Sequence, residues 1–138
     1  MESVQKLTHI EHILKRPDSY VGPVDLSTEA YWILNGNKSQ FEKKNVKYSP
    51  ALLKIFDEIL VNAIDRNSTH PKNVSSIAVS IDKETGAVTI ENNGPLGGIS
   101  VRMHEKEGIW NPELVFGHLL TSTNYDDSQK RIVGGRNG

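Results

Sequence analysis

The densest apolar pattern in the chain lies in SPALLKIFDEILVNAIDRN, residues 49–67. Leu52, Leu53, Ile55, Phe56, Ile59, Leu60, Val61, Ala63 and Ile64 cover most of a cylinder turning every 3.6 residues, which predicts a largely buried helix. Ser49 stands where an N-cap is wanted, and Pro50 suits the first helical position. Upstream, THIEHILKRPDSYVG sets Thr8 and Glu11 at capping-box spacing ahead of Ile13 and Leu14. This predicts a short helix that stops before Arg16-Pro17, because a residue preceding proline is pushed out of the helical region. Two later stretches alternate instead. SSIAVSID puts Ile77, Val79 and Ile81 on one face, AVTIEN does the same with Val88 and Ile90, and the KETG between them predicts an antiparallel hairpin. After a glycine-rich bend, NPELVFGHLL predicts a second buried helix. The polar stretches NGNKSQFEKKNVKYS (35–49) and TSTNYDDSQKRIVGGRNG (121–138) read as loops, the first with room for a short strand. The order helix, helix, hairpin, helix, loop predicts an α+β fold, a two-layer α/β sandwich rather than alternating βαβ units.

Composition narrows the chemistry more than the fold. The 138 residues, 36% hydrophobic, fit one domain with a modest core. A formal net charge of -1 supplies no global positive field for gripping nucleic acid. With no cysteine, disulfides, thiolate zinc sites and cysteine nucleophiles are excluded. Apolar runs fall far short of the roughly 20 residues that span a bilayer, and the charged start MESVQKLTHIEH is unlike a secretory signal. The expectation is a soluble intracellular protein with no membrane partner.

Polar residues on the long helix are not scattered. Lys54, Glu58, Asn62 and Asp65 recur at spacings of four, four and three, which puts them in one line. The plain explanation is a solvated face. The chemical one starts from Asn62, a poor helix former in mid-helix: its amide oxygen suits Mg²⁺, and Glu58 one turn earlier suits a water-orienting base. In IENNGPLGG a sharp turn is sufficient explanation. Even so, Asn92 at a strand end could meet a purine edge, with Gly94, Gly97 and Gly98 leaving room for a flat ring. The final stretch combines hydroxyls, an amide, cations and glycines, the groups that bind polyphosphate. It is no P-loop, since G-x-x-x-x-G-K-[ST] is absent. His9, His12, His70, His104 and His118 lack a tight metal-ligand spacing and suit structural roles. No serine sits in a G-x-S-x-G elbow.

Taken in order, HIEHILKRPDSYVG, LLKIFDEILVNAID, FGHLLTSTNYDD and GGRNG resemble the ATPase region of type IIA DNA topoisomerases, in the eukaryotic-type branch that also occurs in large DNA viruses. Gyrase, chaperone, mismatch-repair and histidine-kinase ATPases share the E-x-x-x-N helix but not the LLTSTNYDD string. The resemblance implies a Bergerat (GHKL-type) fold, with helices on one face of a mixed, mostly antiparallel sheet. In that frame residues 1–8 form an N-terminal arm, 9–120 a nucleotide-binding core and 121–138 the start of an ATP lid. Glu58 would be the catalytic base toward water, and Asn62 would hold Mg²⁺ on the phosphates of ATP. Asn92 would contact adenine, Ser122, Thr123 and Asn124 ribose and phosphates, and Gly135, Arg136, Asn137 and Gly138 the triphosphate.

The family's ATP-driven dimerisation closes a gate around DNA, which is handled by other regions of the polypeptide. A nuclear location, or a viral factory or virion for a viral parent, follows from the same resemblance. Three positions depart from the family. Val4 replaces an arm tyrosine, Arg66 replaces an asparagine, and NNGPLGGISV is two residues longer than the usual turn, leaving Gly97 and Gly98 as alternatives for its second glycine. The family continues past GGRNG with Tyr-Gly-Ala-Lys and a helix, so the expectation is part of a larger enzyme that stops inside its lid. The alternatives are a chaperone or mismatch-repair ATPase, or a non-catalytic nucleotide-binding fragment.

Overall fold

A computed structural model describes residues 4–94, 98–122, 128 and 134. The chain divides into two compact units, Met1–Asp57 and Glu58–Gly138.

In the first unit, α1 (His9–Lys15) begins with the expected capping box. Glu11 N–H donates to Thr8 Oγ1 (3.3 Å), and Thr8 N–H donates to Glu11 Oε2 (2.8 Å). The helix ends at Arg16, as the following proline requires. A single further turn, α2 (Asp18–Val21), brings Tyr20 OH to 2.7 Å from His12 Nδ1 with the rings edge to face.

The next element was not expected. β1 (Ser27–Leu34) and β2 (Phe41–Tyr48) form an antiparallel hairpin in which Ser27 faces Tyr48 and Leu34 faces Phe41. The stretch read as a loop therefore contains a full strand. Its order comes from the ladder and from a local turn: Asn35 Oδ1 accepts Ser39 N–H at 3.0 Å, Lys38 N–H reaches Asn35 O, and Asn35 N–H reaches Gln40 O. Across the strands, Tyr31 OH and Tyr48 OH lie 2.6 Å apart.

Helix α3 (Pro50–Thr69) starts where the sequence places it and gives residues to both units. Ser49 Oγ accepts Leu52 N–H (3.4 Å) and donates to Val24 O (3.0 Å), while Ala51 N–H closes on Pro23 O. The expected burial of this helix is not found. Ala51 and Ala63 are its buried residues, whereas Leu52 is 65% and Ile55 51% exposed. An apolar surface covering most of a helix needs packing on several sides, and the described residues do not supply it. Likewise α4 (Asn111–Gly117), expected to be buried, has no buried residue.

The second unit holds the predicted hairpin, β3 (Ile77–Ile81) and β4 (Val88–Asn92). Val79 faces Ile90 and Ile81 faces Val88, so the apolar positions share a face as their alternation required. Asp82 Oδ1 accepts the N–H groups of Glu84 (2.8 Å) and Thr85 (3.3 Å) and shapes the connection. Between α3 and β3 the chain turns on the carbonyl of His70, which accepts N–H from Asn73 and Val74. Val74 is fully buried. The α+β class stands, and every described strand pairing is antiparallel, in two separate two-stranded sheets. Among the described residues no helix is long and apolar enough to cross a membrane.

Candidate functional site

Helix periodicity places Glu58, Asn62 and Asp65 on one line of α3, with about 6 Å of axial rise between the first two. Glu58 and Asn62 are exposed and Asp65 is half-buried. A carboxylate and an amide oxygen thus project from neighbouring turns on one rigid element.

The end of β4 is tied to this helix. Asn92, half-buried, donates from Nδ2 to the carbonyl of Ala63 at 2.9 Å, beside Asn62 in the chain. One amide hydrogen is therefore committed to holding strand and helix together, and Oδ1 and the second hydrogen remain for another partner. The sequence did not reveal this double use. Nor did it single out Asn93, whose Oδ1 accepts Ser75 N–H (2.8 Å) and Ser76 N–H (2.9 Å) and whose Nδ2 donates to Ser75 Oγ. Paired asparagines before a glycine were the only available signal.

Gly94 follows at φ 85°, and a Cβ there would overlap the carbonyl oxygen of Asn73. This glycine is required by a close backbone approach, a different reason from room for a flat ring. Gly97 lies outside the described residues, and Gly98 is exposed with open space around it.

Beyond α4, Leu120 adopts φ 62°, a left-handed conformation uncommon for a side chain of its size, and the chain passes to half-buried Thr121 and Ser122. Thr121 Oγ1 donates to His118 O at 3.3 Å. Thr123, Asn124, Gly135, Arg136, Asn137 and Gly138 lie outside the described residues. One residue of the glycine-rich stretch is described: Gly134 donates its N–H to Asp65 Oδ1 at 2.7 Å. The polar line of α3 and the stretch expected to form a lid therefore meet.

Among the described residues no three histidine, aspartate or glutamate side chains gather as metal ligands. A lone amide oxygen at Asn62 nonetheless fits Mg²⁺, which keeps water and phosphate oxygens as most of its shell. A shallow hollow lined by Asp18, Pro23, Val24 and Asp25 belongs to the first unit and contains none of the predicted site residues.

No protein-family model matches the chain. Individual proteins do. DNA topoisomerase 2 of Penicillium chrysogenum is 51% identical over 137 residues, 99% of this chain and 8% of that protein. The solved ATPase region of Saccharomyces cerevisiae topoisomerase II superposes with a TM-score of 0.85 at 46% identity, covering 97% of this chain and 35% of that one. The solved ATPase and transducer domains of Balamuthia mandrillaris DNA topoisomerase II give 0.86 at 48% identity, covering 99% and 34%. The chain thus spans about a tenth of the length of the curated relatives it matches, 8% and 10% in two of them.

In class, the chain is an ATPase-region fold of the Bergerat type. More particularly, it is homologous to the ATPase region of eukaryotic-type DNA topoisomerase II.

Proposed function

We propose that this chain is the ATP-binding and hydrolysing portion of a type IIA DNA topoisomerase, an enzyme that passes one duplex through a transient break in another. The observation that carries the reading is the α3 line, with Glu58 and Asn62 one turn apart and Gly134 drawn onto Asp65 of the same helix. The solved relatives, described as ATPase regions of topoisomerase II, support it.

Hydrolysis at the γ-phosphate depends on positioning and on spreading negative charge. Glu58 is suited to orient a water molecule and take its proton as the oxygen attacks the γ-phosphorus and the bond to the β,γ-bridging oxygen breaks, giving ADP and phosphate. Asn62 would hold Mg²⁺, which when bound offsets phosphate charge. Asn92, anchored through Ala63, keeps an acceptor for the adenine amino group. Ser122, Thr123 and Asn124 would contact ribose and phosphates. Gly135, Arg136, Asn137 and Gly138 would turn backbone N–H groups and a guanidinium toward the triphosphate. The DNA contacts, the homodimer closed by ATP and a nuclear or viral-factory location belong to the proposal for the whole protein.

In the full-length enzyme, Glu58→Ala should reduce ATP turnover by at least about 10²-fold, the lower range of a general base's contribution, while a labelled nucleotide still binds. Near-normal turnover in that variant would remove Glu58 from its role. Failure of the full-length protein to relax supercoiled DNA with ATP would instead favour a chaperone or mismatch-repair ATPase.

A further inference from the structure

Asp65 is not among the groups the proposed chemistry uses, yet its carboxylate is where the glycine-rich stretch meets α3. Gly134 donates its backbone N–H to Asp65 Oδ1 at 2.7 Å, a short bond of the kind an ionised acceptor makes. Contact continues on the neighbouring side chain: a Cβ added to Gly134 would lie 3.1 Å from Val61 Cγ1 and 3.7 Å from Asp65 Oδ1. Two features of the sequence therefore fit together locally. A carboxylate stands where an N–H arrives, and the arriving residue has no side chain to hold it away from Val61.

Position along the helix gives this contact a consequence. Asp65 is three residues beyond Asn62 and seven beyond Glu58, on the same line of α3, about 4.5 Å of axial rise from the asparagine. Gly134 directly precedes Gly135 and Arg136, the first residues assigned to the lid. A bond that fixes Gly134 on this helix sets where the lid begins relative to the groups that act on the γ-phosphate. A carboxylate is an apt holder, because a loop rich in N–H groups is built to accept an anion and the aspartate offers one in the absence of nucleotide.

We propose that Asp65 is a positioning residue, anchoring the root of the lid to α3 through the Gly134 N–H so that the following residues address the phosphates. This rests on the ATPase reading above. It predicts a loss of nucleotide affinity with little loss of turnover at saturation, since the anchor acts alike on bound ATP and on the transition state.

The test uses the full-length protein. Asp65→Ala should raise the KM for ATP about tenfold, the size of one hydrogen bond to a charged group, with kcat within about twofold. Asp65→Asn, which keeps an acceptor of the same shape, should recover part of the difference. Without nucleotide, hydrogen exchange at the Gly134 amide should quicken about tenfold in Asp65→Ala. Gly134→Ala should reproduce the KM effect by pressing on Val61, and Val61→Ala combined with it should restore the wild-type value. Should Asp65→Ala impair folding as a whole, Asp65→Asn and the Gly134/Val61 pair give the same reading. Unchanged exchange at Gly134 and unchanged KM in the Asp65 variants would overturn the anchor. If Glu58→Ala retained turnover while exchange at Gly134 still quickened in Asp65→Ala, the ATPase assignment would fail and the contact would stand.

Discussion

At the scale of single residues, the sites that matter most are those where one group serves two demands. Gly94 shows the steric kind: its φ of 85° and the carbonyl of Asn73 beside it leave no place for a side chain. Gly94→Ala should cost at least the roughly 1–3 kcal/mol of a non-glycine residue held in a left-handed conformation, before the clash is counted. A full-length variant with an unchanged melting temperature would contradict this. Tyr31 shows the electrostatic kind. Its hydroxyl, hydrogen-bonded to Tyr48 and facing Glu29, is pushed up to about 12 from an ordinary value of 10.0. The folded hairpin favours the protonated phenol, so its contribution to stability is fully present below pH 10, fades as pH rises and is gone above about 12. Of the four tyrosines, one should form its phenolate late in an ultraviolet pH titration. Tyr31→Phe should abolish that late step, and a Tyr31→Phe titration that kept it would refute the pairing.

Elements differ in how openly the sequence announces them, and the β3–β4 hairpin is the clearest. Its alternation fixes the face, and its connection is held by Asp82, whose carboxyl is lowered by the Thr85 side-chain bond and by the N–H groups of Glu84 and Thr85. A lowered carboxyl favours the folded form above the ordinary aspartate value, and that share of stability is lost as pH falls through the folded value. Acid should therefore loosen the hairpin below about pH 4, and Asp82→Asn should remove that acid step from the exchange profile of Val88–Asn92. Equal acid sensitivity in both proteins would count against the Asp82 turn. The cap of α1 and the start of α3 were legible for the same reason: Thr8, Glu11, Ser49 and Pro50 act within four residues of where they stand. The β1–β2 hairpin was not legible, because FEKKNVKY shows no apolar alternation and owes its order to a partner strand and an asparagine turn. In the candidate site, Glu58 and Asn62 could be read from helix spacing, which is local. The links from Asn92 to Ala63 and from Asp65 to Gly134 bridge 29 and 69 residues, distances over which spacing carries no information.

Over the whole molecule the decisive quantity is how little apolar surface is hidden. Among the described residues Ala51, Ala63 and Val74 form the buried apolar set, while Leu14, Trp32, Phe41, Phe116 and Leu120 are each more than 60% exposed. Ordering a backbone residue costs roughly 1–2 kcal/mol, and a fully buried valine returns about 1.5–3. Three small side chains cannot offset the ordering of some hundred residues. The solved relatives contain nearly three times as much chain, since this one covers 34–35% of them. The 138-residue chain alone should therefore melt over a broad range and bind a hydrophobic dye at room temperature. A polypeptide spanning the full region homologous to the solved ATPase regions should melt in one cooperative step. ATP affinity should follow the same order, because a partly populated binding-competent state weakens apparent affinity in proportion to its fraction. Scanning calorimetry and nucleotide titration of the two polypeptides decide it. A sharp transition in the short chain, with calorimetric and van't Hoff enthalpies in agreement, would show that its exposed apolar residues are compatible with an independent core.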